Sequence, residues 1–194
     1  MVLVALLAQL DRAFGYEPKG CRFNSCTART IKMSDIFLKQ TKRAQLDSES
    51  YLMGQAIKEA KKALKKGEVP VGCVIVKDGK IISRAHNLTV KKNDPTAHAE
   101  ILALKKAAQK TGNYRLTNCE IYVTIEPCPM CAGAAVWARI KKIIFGVHDE
   151  KSGACGSVVN IAGNKKLNHR VEIKSGVFSG KCADLIKEFF KERR

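Results

Sequence analysis

The sequence predicts an α/β protein: a three-layer α/β/α domain around a mixed, about five-stranded sheet. Three observations carry this. Short β-branched runs alternate with helix-length amphipathic stretches from Ser48 onward. The first two runs are joined across Asp78-Gly79, a dipeptide that favours a hairpin. The runs from Lys80–Ala85 through Ile121–Thr124 to Lys142–Val147 are each separated by a helical stretch, which a parallel crossover needs, and a glycine-rich loop precedes the last run.

The elements follow in order. Leu52, Met53, Ala56, Ile57, Ala60, Ala63 and Leu64 recur at helical spacing, with Ser48 or Ser50 as candidate N-caps and Gly67 beyond the end. Val71–Val76 and Lys80–Ala85 form the hairpin, and a polar loop from His86 to Pro95 follows. A second helix is expected from Thr96 to about Lys110, then a strand at Ile121–Thr124. Pro127 and Pro129 open a third helix, since proline is tolerated in a first turn. Lys142–Val147 and Val171–Ile173 read as strands, and Cys182–Lys191 as a closing helix.

Of the 194 residues, 35 are Lys or Arg and 18 are Asp or Glu, a formal charge of +17. Residues 1–47 hold 8 basic and 4 acidic residues, which leaves +13 on residues 48–194. Two readings stand: a lysine-rich solvated surface, or a face for a polyanion such as nucleic acid. No apolar stretch is long enough to span a bilayer, and Val2–Leu10 lacks the basic flank of a secretory signal. A cytoplasmic protein without a membrane partner is therefore expected.

Two motifs carry chemistry: His98-Ala99-Glu100 and Pro127-Cys128-Pro129-Met130-Cys131. Each falls where a helix begins. Cys128 and Cys131 are three apart, so one helical turn points both sulfurs to one side. The positive end of the helix dipole favours thiolates there. One His and two Cys make three ligands, which leaves a zinc ion one position for water, whereas structural zinc sites close with four. Zinc lowers the pKa of that water to about 7. Glu100, two residues from His98, can move protons without being a ligand. A redox Cys-x-x-Cys explains neither Pro127 nor His98-x-Glu100, and a zinc ribbon needs a second such pair. Cys73, Cys119, Cys155 and Cys182 sit among small or apolar neighbours and read as buried, inert thiols.

These motifs resemble the cytidine-deaminase-like superfamily, most closely its tRNA adenosine deaminase branch. The resemblance extends over Glu68–Gly72, Asn87, Asp94–Glu100, Asn113–Leu116, Glu126–Gly133, Phe145-Gly146, Gly153–Ser157, Asn168–Ile173 and Phe189-Phe190. It thus covers residues 48–194 in order. It implies zinc on His98, Cys128 and Cys131, Glu100 as proton shuttle, and Asn87 hydrogen-bonded to a flipped base. The implied reaction is hydrolytic conversion of adenosine to inosine at the wobble position of a tRNA anticodon stem-loop, by a homodimer. The +13 charge fits an RNA substrate better than a free base. A deaminase of free guanine or cytosine shares the motif and is the competing enzyme. A non-catalytic zinc-dependent RNA-binding module would have no use for Glu100. His86, His148 and His169 are assigned no chemistry.

Residues 1–47 read as an N-terminal extension, disordered or untranslated, ahead of a deaminase domain at 48–194. With chosen codons, Cys21–Cys26 back-translates to a stem-loop like a tRNA T-arm, and Ala8–Ala13 to a D-arm. That would place the start at Met33, with a transit segment as the rival reading.

Overall fold

The structure is a computed structural model that describes residues 48–191 and Arg193, so the readings made for residues 1–47 lie outside the described residues. Its sheet has five strands: β1 (Gly72–Lys77), β2 (Lys80–His86), β3 (Cys119–Ile125), β4 (Lys142–Val147) and β5 (Glu172–Lys174), in spatial order β2-β1-β3-β4-β5. β1 is antiparallel to β2 and β3, whereas β3, β4 and β5 are mutually parallel. The helices are α1 (residues 48–64), α2 (Thr89–Lys92), α3 (Ala99–Thr111), α4 (Pro129–Trp137) and α5 (Ser179–Lys191).

The expected hairpin is present. Asp78 and Gly79 both adopt positive φ, +50° and +73°, as a two-residue turn of this hand requires. Alternation along the central strands then sorts side chains into two cores. Cys73, Ile75, Ile121, Val123, Ile143 and Phe145 face a core completed by α3 and α4. Val74, Val76, Tyr122 and Ile144 face the opposite core, completed by α1 and α5. This is the predicted three-layer arrangement, with a buried central sheet. Gly72 lets α1 approach closely, since a Cβ there would collide with the Ala56 carbonyl oxygen and the Ala60 nitrogen.

Three local expectations are corrected. The segment after β2 is not all loop: Thr89–Lys92 forms a single helical turn. Its amides are satisfied by Glu68, which is distant in sequence. The helix expected from Thr96 starts at Ala99 instead, because the Asp94 carboxylate accepts the Thr96 amide and hydroxyl and holds a separate turn. The closing helix begins three residues earlier than expected, at Ser179. Cys73, Cys119, Cys155 and Cys182 are buried, and burial raises all four thiols above their ordinary pKa, Cys155 to about 12 and Cys182 to about 11. They are inert by that measure. Among the described residues, no helix is long and apolar enough to cross a membrane.

Candidate metal and catalytic site

His98 and Cys128 occupy equivalent places. Each is the N-cap of its helix with extended backbone (φ −68°, ψ 152° and φ −71°, ψ 171°), and neither spends its side chain on a cap hydrogen bond. α3 follows β2 and α4 follows β3; both strands run antiparallel to the β1 between them, so they finish at the same end of the sheet and the helix starts converge. Pro129 sits at the first helical position, where its missing N–H costs nothing. Cys131 lies one turn on and is buried.

The resulting cluster is compact. His98 Nδ1 lies 3.7 Å from Cys128 Sγ and 3.6 Å from Cys131 Sγ, and all three donor atoms fall within 4.8 Å of one another. Tetrahedral bonds of about 2.3 Å to sulfur and about 2.0 Å to nitrogen place S and N about 3.5 Å apart. The donor set therefore fits zinc in both chemistry and spacing. The Cys131 thiol donates to Cys128, which, with His98 beside it, lowers Cys128 to about 4 despite burial; Cys131 is raised by the same bond and by burial. His98 is raised in turn by Cys128. A coordinated dication deprotonates its thiols outright, so this polarised pair is already half prepared.

Glu100 sits in the first turn of α3 and is 4% exposed, with its carboxyl in contact with Cys131. Burial raises it to about 7. Asn87, also buried, accepts the Ala99 amide through Oδ1 at 2.8 Å. This bond closes the start of α3 that His98 leaves uncapped, and leaves the Asn87 amide NH2 uncommitted to that helix. The structure thus brings His98, Glu100, Cys128 and Cys131 together, with Asn87 bonded to the same helix start.

The remaining histidines have structural partners. His86 Nδ1 lies 3.1 Å from the buried Glu59, and Lys66 donates to its Nε2 at 2.9 Å. His148 Nδ1 faces Glu126 and Ser157, and His169 Nε2 lies 2.7 Å from the Ile140 carbonyl oxygen.

Sequence reasoning assigned no role to two fully buried carboxylates, Glu68 and Glu126. Neither lies in a spacing pattern that marks it. Glu68 accepts the Lys91 amide (2.8 Å), the Val90 amide (3.1 Å) and the Thr89 hydroxyl (3.1 Å), and so orders the segment after Asn87. Burial alone would raise its pKa, but these donors together hold it below the ordinary 4.5. A carboxyl lowered in the folded state stabilises the fold above its unfolded pKa and loses that contribution as pH falls through the folded value. The melting temperature is therefore expected to fall as pH drops below about 5, and part of that slope should disappear in Glu68→Gln. Equal slopes in parallel melts of the two proteins would exclude this role.

Comparison with known proteins agrees with this geometry. The family model for MafB19-like deaminases matches residues 47–194. The tRNA-specific adenosine deaminase of Bacillus subtilis (strain 168) is 45% identical over 149 residues, covering 77% of this chain and 92% of that protein. Its counterpart in Aquifex aeolicus (strain VF5) is 48% identical over 146 residues, covering 75% and 96%. A structure solved in studies of A-to-I editing by tRNA:A34 deaminases at the wobble position of transfer RNA superposes with a TM-score of 0.68 at 39% identity, over 70% of this chain and 98% of that one. The chain therefore belongs to the tRNA-specific adenosine deaminases, the TadA branch of the cytidine-deaminase-like superfamily.

Proposed function

We propose that residues 48–194 form a zinc-dependent deaminase domain that converts adenosine to inosine at the wobble position of a tRNA anticodon, with residues 1–47 as an extension. The observation that carries this reading is the convergence of His98 Nδ1 with the Cys128 and Cys131 sulfurs beside the buried Glu100. Zinc bound by those three residues supplies the Lewis acidity that makes hydroxide available at neutral pH.

The chain's own residues do the rest. Glu100 takes a proton from the attacking water and passes it to the adenine ring nitrogen, then takes the proton of the new C6 hydroxyl and gives it to the exocyclic amine, which leaves as NH3. Water and adenosine thus yield inosine and NH3. Its burial keeps the carboxylate from competing solvent, and its contact with Cys131 holds it at the metal ligands. Asn87 offers its amide NH2 to an acceptor on the flipped base while its oxygen fixes the start of α3. Burial of Asn87, Glu100 and Cys131 keeps their polar atoms from bulk water, as the reading of a flipped base requires.

The partner in this reading is an anticodon stem-loop, and the setting the cytoplasm. The +13 charge of residues 48–194 supports a phosphate-bearing substrate, and Lys58, Lys61, Lys62, Lys65 and Lys66 are exposed around α1. A homodimer is supported by an open apolar groove between α3 and α4, lined by Ile101, Leu104, Ala108, Tyr114 and Ala134. Trp137, on α4, is 72% exposed.

The test incubates zinc-loaded protein separately with an A34 anticodon stem-loop, free guanine and free cytosine. Inosine in the RNA is expected, and ammonia from a free base alone would overturn the substrate. Binding of the stem-loop should weaken about 100-fold between about 50 and 200 mM salt if about five phosphates are contacted. Salt-independent binding would remove the phosphate-reading surface.

A further inference from the structure

Glu126 takes no part in the chemistry above, yet its carboxylate is fully buried and densely bonded. Oε1 accepts the amides of Cys155 (2.8 Å) and Ser157 (3.1 Å). Oε2 accepts the Asp149 amide (3.2 Å) and the Ser157 hydroxyl, with His148 Nδ1 at 3.2 Å. The 148–157 loop is thereby wrapped around one side chain. Gly153 marks how tightly: a Cβ there would stand 2.5 Å from Glu126 Oε2 and from the Asp149 carbonyl oxygen.

The same loop also grips the chain that leads to the ligands. The Ala154 amide donates to the Pro127 carbonyl at 2.8 Å, and the Glu126 amide donates to the Val147 carbonyl at 2.9 Å. Glu126, Pro127 and Cys128 are consecutive, and Pro129 follows as the first residue of α4. Cys128 makes no cap bond of its own. Its position is therefore set by α4 on one side and by this loop on the other.

We propose that Glu126 is a positioning residue of the metal site, its buried carboxylate locking the 148–157 loop to the turn that presents Cys128. This rests on the reading of His98, Cys128 and Cys131 as a zinc site. Glu126 touches neither substrate nor metal. It acts by removing freedom from the ligand turn, which is tied to α4 through the Cys128 carbonyl (accepting the Ala132 amide at 2.9 Å) and to the 148–157 loop through the Pro127 carbonyl.

Glutamine at this position keeps the volume but sets an NH2 against amide and hydroxyl donors. Zinc-loaded wild type and Glu126→Gln would be challenged with a chelator, and hydrogen exchange followed at Cys155 and Ser157. Release is expected to be about tenfold or more faster in Glu126→Gln, in line with the loss when metal-site supports are removed, with both amides losing protection. Glu49→Gln is the matched control, a buried carboxylate paired with Lys142 and Lys174 at the end of β4 opposite Val147, and should release zinc at the wild-type rate. Ser157→Ala removes the hydroxyl's bonds to Glu126 and His148 but keeps the Ser157 amide bond to Glu126, and should give an intermediate rate; if Glu126→Gln does not fold, this variant decides. Wild-type release from Ser157→Ala and any folded Glu126→Gln overturns the proposal, as does equal acceleration in Glu49→Gln, which would mean general loosening. A wild-type protein that holds no zinc sinks the metal reading itself, and this inference with it.

Discussion

Glu100→Gln is expected to lower turnover by about 10²–10⁴-fold with zinc content unchanged. The side chain is buried against Cys131 in the first turn of α3, so an isosteric amide leaves packing nearly intact while abolishing proton transfer. It is not one of the three converging donor atoms, so metal retention should be that of the wild type. Paired assays of bound zinc and of inosine formed in an anticodon stem-loop separate the two roles. Loss of zinc in the variant would make Glu100 part of the metal's support, and retained turnover would remove it from the proton path.

The largest effect on stability is expected from Gly72→Ala. A methyl group there meets the α1 backbone at Ala56 and Ala60, and Glu59's carbonyl carbon within 3.0 Å. Backbone cannot rotate away as a side chain can. β1 is held from moving by pairing with both β2 and β3, and the Gly72 amide donates to the Thr124 hydroxyl at 3.2 Å. α1 must therefore shift off the core built by Leu52, Met53, Ala56 and Ile57. A loss of about 3 kcal/mol is expected, or about 6–12 °C in melting temperature for a domain of this size. Gly54→Ala provides the contrast. It lies within α1 with no atom near the added carbon, so it should stabilise by about 0.5–1 kcal/mol through helix propensity. Destabilisation of similar size in both variants would refute the close-packing account.

Much of this was legible in the order of residues. Asp78-Gly79 announced its hairpin because few other dipeptides adopt two positive φ values cheaply. The alternation Cys73-Val74-Ile75-Val76 announced a strand buried on both faces. Cys128-x-x-Cys131 and His98-x-Glu100 were visible because Cys, His and Glu at spacings suited to a metal and a proton carrier are scarce. The short helix at Thr89–Lys92 was not, because its stabilising partner Glu68 is twenty-one residues from Thr89. The start of α3 was misplaced by three residues for a related reason, since the Asp94 turn competes locally with helix at Thr96.

The sequence by itself therefore determined the three-layer fold, the branch of deaminases and the four residues of the candidate centre. The fold and the candidate residues follow from periodicity, turn chemistry and ligand type, and the branch from the family resemblance over residues 48–194, all of which are read along the chain. Only the tertiary structure decided that His98 and Cys128 are N-caps with their side chains left free, that Asn87 caps the helix carrying Glu100, and that Glu68 and Glu126 order the neighbouring loops. The last two depend on bonds between residues separated in sequence. A buried carboxylate looks like any other Glu until the fold removes its water and supplies the amide donors that must replace it.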